Sequence, residues 1–141
     1  MFHMKQFTSK TQKIGEYGEK LCVAYLKKSG SEILDRNYTQ NFGEIDIVAK
    51  KDNVLHFIEV KSIQIDVSHE TKIKNVLRET YNPAENLTKQ KYIKIYKTVK
   101  HYLQEYSVSH ETKWQIDLYL VYIDSFHMKH KLRKIENIVF S

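Results

Sequence analysis

Residues 43–61 read GEIDIVAKKDNVLHFIEVK: two apolar runs, Gly43 to Lys51 and Val54 to Lys61, on either side of the dipeptide Asp52-Asn53. Both runs are rich in β-branched and aromatic residues, and two turn-forming residues between them predict an antiparallel hairpin. A two-residue turn pairs Lys51 with Val54, and counting back along both strands sets Asp46 opposite Glu59 and Glu44 opposite Lys61. Alternation puts Glu59 and Lys61 on the face that Leu55 and Phe57 occupy. Directly opposed side chains have Cβ atoms about 5 Å apart, so the carboxylates of Asp46 and Glu59 would destabilise the hairpin if left alone. They share a proton, pair with a cation such as Lys61, or bind a hard divalent metal that prefers oxygen ligands, as Mg²⁺ does.

Upstream, Ile14, Leu21, Cys22, Tyr25 and Leu26 recur at helical spacing between a capping Thr11 and a stopping Gly30, which predicts a helix over residues 12–29. Glu19 lies beside the apolar stripe of that helix, whereas Glu16, Lys20 and Lys27 fall on its outer face, so Glu19 can look toward the sheet as a third acid. A further strand is predicted at 32–38, ahead of those at 44–50 and 54–61. The polar segment from Gln64 to Leu87 holds the single proline, Pro83, and reads as an irregular excursion. A second helix starts at Thr88, with Tyr92, Ile95, Tyr96, Val99 and Tyr102 on one stripe. A strand at 114–123 and a closing strand near Lys134 to Phe140 complete the order α-β-β-β-α-β-β, an α/β fold with a mixed sheet flanked by helices.

The chain has 141 residues, of which 41% are hydrophobic, enough for one domain spanning 1–141. A single cysteine, Cys22, excludes an internal disulfide framework or a thiolate zinc cluster and fits a small core residue in a reducing compartment. No run approaches the ~20 apolar residues of a membrane span, and the start MFHMKQFTSKTQK lacks the apolar core of a signal peptide. A cytoplasmic protein without a membrane partner is therefore expected. The net charge of +6 favours an anionic partner such as nucleic acid. Much of it sits on the second helix, where Lys89, Lys91, Lys94 and Lys97 follow one another with no acid before Gln104, a surface suited to following phosphates. The basic stretch from His127 to Lys134 adds to it, with His127 and His130 read as turn residues at the surface.

Two short peptides recur: VSHETK at 67–72 and 108–113, and FHMK at 2–5 and 126–129. One near-palindromic DNA stretch, GTTTCACATGAAACA, encodes VSHET in one frame and FHMK in the next. Inserted DNA survives where it disturbs packing least, so all four copies are predicted at termini, loops or element ends. Unrelated codons at the four places would sink that reading.

GEIDIVAK (Gly43 to Lys50) followed by FIEVKS (Phe57 to Ser62) resembles the D-(x)n-E-x-K signature of the PD-(D/E)XK nucleases, which have the restriction-endonuclease-like fold. With GEYGEKLCVAYL (Gly15 to Leu26), the Arg36-Asn37-Tyr38 step, Thr88 to Lys91, Trp114 to Leu118 and the closing IENIVF, the chain is similar to the YraN-like family of predicted endonucleases, relatives of archaeal Holliday-junction resolvases. The resemblance implies a metal-dependent endonuclease (a hydrolase) acting on DNA, with branched or structured DNA as substrate and Mg²⁺ or Mn²⁺ as cofactor. Asp46 and Glu59 would be the metal ligands, Lys61 the catalytic lysine and Glu19 an accessory acid, with Lys89 facing the site to hold a phosphate. A homodimer would suit symmetric cutting of two strands. Such proteins usually continue the E-x-K element with Thr-Arg, where this chain has Ser62-Ile63 and so lacks that cation. A nucleic-acid-binding module without turnover is the alternative, and a salt-bridge network on a sheet face is the simplest structural account of the three charges.

Overall fold

In the computed structural model, which describes residues 10–65 and 87–140, the chain begins with a helix, α1 (Lys10–Lys28). Its end matches the sequence signal. Gly30 takes φ +91°, and the amides of Ser31 and Gly30 donate back to the carbonyls of Leu26 and Lys27 at 2.9 and 3.1 Å, which closes the last turn in a Schellman arrangement. Its start differs, since Thr11 lies within the first turn and does not cap it.

Three strands follow, β1 (Glu32–Gln40), β2 (Gly43–Lys51) and β3 (Val54–Gln64). The turn between β2 and β3 is tight, with Asp52 and Asn53 at φ +50° and +63°, the two positive values a type I′ turn requires, and Lys51 pairs with Val54. Pairing runs from there to Ile47 and Ile58 and stops. Past that point β2 stays with β1, Glu44 beside Thr39, while β3 stays with β4 (Lys113–Asp124), where Lys61 lies beside Leu120. Glu44 therefore does not meet Lys61, and the predicted register holds only as far as the strands remain together.

Helix α2 (Lys89–Glu105) belongs to the crossover that the parallel pair β3 and β4 demands. Thr88 caps it, its hydroxyl accepting the Lys91 amide at 3.2 Å. The closing strand, β5 (Lys129–Ile135), lies earlier than the reading near 134–140 and pairs antiparallel with β4. Its sequence KHKLRKI hides it, because an edge strand keeps charges along its exposed side. His130, read as a turn residue, instead pairs with Ile123.

The sheet order is β1-β2-β3-β4-β5, and among the described residues one helix packs on each face. Cys22 and Leu26 of α1 pack with Ile47, Ala49, Ile58 and Tyr119. On the other face Ile95, Val99 and Tyr102 of α2 meet Val48, Leu55, Phe57, Leu118 and Leu120. Each such side chain contributes about 1.5–3 kcal/mol on full burial. Gln64 ends β3 and Leu87 is buried, whereas residues 66–86 of the expected excursion lie outside the described residues. Residues 108–112 and 126–128 fall between elements, as the inserted-repeat reading predicts, and the copies at 2–5 and 67–72 lie outside the described residues.

Candidate functional site

The cleft opens where β2 and β3 part. Asp46 is the first residue of β2 beyond the last shared pair, and its Oδ2 accepts the amide of Val60 at 2.8 Å, so a side chain takes the place of a ladder bond. The alternation of β2 also breaks here, because Ile45 and Val48 both enter the core under α2. Across β1, Asn37 at φ +52° lies between the pairs Arg36–Ile47 and Tyr38–Ile45, which marks the same irregularity from the other strand.

Asp46 and Glu59 are 6% and 7% exposed and line one cleft of about 580 Å³ together with Glu19, Glu44, Lys91 and Lys94. Burial raises the pKa of Asp46, the charge of Glu59 raises it further, and the Val60 amide pulls the other way. Glu19 is raised as well, first by burial; Arg36 lowers it while Glu44 and Glu59 push it up. The Arg36 Nη2 lies 3.9 Å from Glu19 Oε1, in a neighbouring cleft of about 640 Å³ that shares Glu19 and Glu44.

The cation on Glu59 comes from elsewhere than the sequence suggests. Lys91 forms an ion pair with Glu59 Oε2, and Lys94, one turn on, lines the same cleft. Lys61 shares the face of Glu59 through strand alternation but stands exposed, and no ion pair to it occurs among the described residues. Lys89 is exposed and is not part of the cleft lining, a correction to its predicted placement, and Lys97 is also exposed outside it. The phase of α2 explains the shift. Thr98 is fully buried with its hydroxyl satisfied by the Lys94 carbonyl at 2.7 Å, and Lys91, Lys94 and Ile95 lie one and two turns before it on the same side of the helix, the side that Ile95 and Val99 turn to the sheet. The Ser62-Ile63 departure is also accounted for: Ser62 lies against Gly18 of α1, and Ile63 packs against the core under α2.

The acid pair fits a hard divalent cation. Its donors are all carboxylate oxygens, and Asp46 is held fixed by Val60 with a like charge beside it that a dication would neutralise. A second polar cluster gathers around Asp117, whose partners lie too far apart in sequence for their spacing to reveal it. The fully buried Asp117 accepts from His56 Nδ1 at 2.7 Å, Gln115 Nε2 at 2.9 Å and the Asn137 amide at 2.9 Å. These bonds bind β3, β4 and the C-terminal segment together.

Fold and site define a mixed α/β protein with a carboxylate pair buried where two strands diverge, inside a cleft that lysines of the opposite helix enter. The model of a family described as uncharacterised, UPF0102, matches residues 18–121. The chain is 39% identical over 129 residues to a UPF0102 protein of Campylobacter hominis, covering 92% of this chain and 96% of the relative. It is 40% identical over 126 residues to one of Campylobacter lari, covering 89% and 93%. The chain belongs to the UPF0102 family, the YraN-like family that its motifs resemble. Among the described residues, no helix is long and apolar enough to cross a membrane.

Proposed function

We propose that this protein is a metal-dependent endonuclease that hydrolyses phosphodiester bonds in DNA, with branched or structured DNA as its substrate. The observation that carries the reading is the buried pair Asp46 and Glu59, fixed at a strand divergence and open to a cleft. These two carboxylates would hold Mg²⁺ or Mn²⁺, which when bound supplies Lewis acidity to the scissile phosphate. Lys91 and Lys94 bind phosphate oxygens from the α2 side of the cleft, and Lys61, exposed two residues beyond Glu59, stabilises charge that develops during cleavage. Glu19, its proton held more tightly by burial, exchanges a proton with water at the cleft wall in this reading. Lys97 and Lys100, exposed further along α2, extend the phosphate path away from the site.

Cleavage of labelled four-way-junction, flap and linear duplex DNA by the wild type and Glu59→Gln, with Mg²⁺, Mn²⁺ or EDTA, tests this. The expected result is metal-dependent cutting, strongest on branched DNA and reduced at least ~100-fold in the variant. The ion pair that Lys91 makes with Glu59 favours a second reading, a DNA-binding module without turnover. Tight binding with no cutting under any of these metals would establish that one instead.

A further inference from the structure

We propose that Lys91 is a built-in counter-ion for Glu59 which a divalent cation displaces, and that the released ammonium then holds a substrate phosphate, so that metal and DNA strengthen each other's binding. The inference rests on the metal-dependent nuclease reading above and adds a coupling to it.

Glu59 is buried and fixed on β3, whereas the Lys91 side chain is 55% exposed and reaches Glu59 only with its tip. The base of Lys91 is held, because its amide donates to the Thr88 cap at 3.2 Å. The ammonium can therefore swing on its four-carbon stem while the backbone stays in place. A dication taking the Glu59 carboxylate competes with Lys91 for the same oxygens and repels its like charge. The released ammonium needs a new anion inside the cleft, where Lys94 already stands. A DNA phosphate supplies it. With no DNA present, metal binding has to break the Lys91–Glu59 pair without replacement; with DNA present, the pair is exchanged for a phosphate contact. Linkage then requires metal to tighten DNA binding by the factor by which DNA tightens metal binding.

Calorimetric titration of the full chain with Ca²⁺, an oxygen-seeking probe ion, with and without a synthetic four-way junction, reads this directly. In the wild type, the junction should tighten Ca²⁺ binding by about tenfold. Lys91→Gln should bind Ca²⁺ about tenfold more tightly than wild type when no DNA is present, and the junction should then change that affinity by less than about twofold. Lys91→Arg, which keeps the charge, should retain the wild-type coupling. If Lys91→Gln keeps both the wild-type affinity and the wild-type coupling while Glu59→Gln abolishes Ca²⁺ binding, the counter-ion role is overturned and the nuclease reading stands. If the wild type binds no Ca²⁺ with or without the junction, both fall.

Discussion

The carboxylate of Asp46 accepts the backbone amide of Val60 at 2.8 Å, so one side chain both caps an interrupted strand pair and forms half of the acid pair. The two roles separate under substitution. Asp46→Asn keeps an oxygen for Val60 and removes a carboxyl whose ionisation burial and Glu59 oppose, so in EDTA it should be more stable than wild type by roughly 1 kcal/mol. Asp46→Ala leaves the Val60 amide without its acceptor and should lose about 1–3 kcal/mol. Chemical denaturation of the three proteins in EDTA gives the order Asn, wild type, Ala; equal midpoints for Asn and Ala would show that the cap contributes nothing.

Two glycines should respond in opposite ways to alanine. A Cβ on Gly43 would stand 2.6 Å from Thr98 Oγ1 and 3.0 Å from the Lys94 carbonyl, which is backbone and cannot step aside. Gly43→Ala should cost about 1–3 kcal/mol and push the β1–β2 turn away from α2. Gly15, inside α1, has no atom within 4 Å of such a Cβ, and Gly15→Ala should gain up to ~1 kcal/mol. Thermal unfolding of both variants decides it, and a stabilised Gly43→Ala would contradict the packing described.

Cys22 is fully buried, and its thiol is pushed up to about 12, first by burial and then by the charges of Asp46 and Glu19. In the native protein it should react with iodoacetamide or a disulfide reagent only as fast as the fold opens, and it should reach the rate of a free thiol in denaturant. Fast labelling under native conditions would place Cys22 outside the core beneath α1.

Burial opposes the ionisation of Asp124, but hydrogen bonds from the His127 ring at 2.6 Å and from the amides of His127 and Phe126 outweigh it, so its pKa is lowered. A carboxylate with a lowered folded pKa contributes stability that is complete above its unfolded value of about 3.9 and is lost as pH falls through the folded value. Asp124→Asn should therefore melt below the wild type by a steady margin between about pH 6 and pH 5, and the margin should close below about pH 4. A margin that widens in acid would contradict this sign.

The hairpin was legible because its information is local: two turn residues at positive φ, and alternation on either side, fix Lys51 against Val54. The divergence at Asp46 was not, since it depends on Asn37 in a different strand and on the loss of strict alternation between Ile45 and Val48. The partner of Glu59 was misread for a related reason. Lys61 is near it in sequence, but Lys91 reaches it from α2, packed on the same face of the sheet, and the helical phase that brings it there is set by the burial of Ile95, Thr98, Val99 and Tyr102. β5 was misplaced because the hydrophobic signal near Ile138 comes from a segment that hydrogen-bonds to Ile116 without forming a strand.

The two described helices are anchored unequally, α1 by Gly18, Cys22 and Leu26, and α2 by Ile95, Thr98, Val99 and Tyr102, of which Ile95, Val99 and Tyr102 join the larger of the two apolar clusters among the described residues. Protection from solvent exchange follows the burial that must be undone to open a segment. The amides of α1 should thus exchange with deuterium ahead of those of α2, as a layer that opens while the sheet and α2 stay closed. Glu19 travels with that layer, whereas Asp46, Glu59 and Lys91 do not, so the acid wall of the cleft can loosen without disturbing the carboxylate pair.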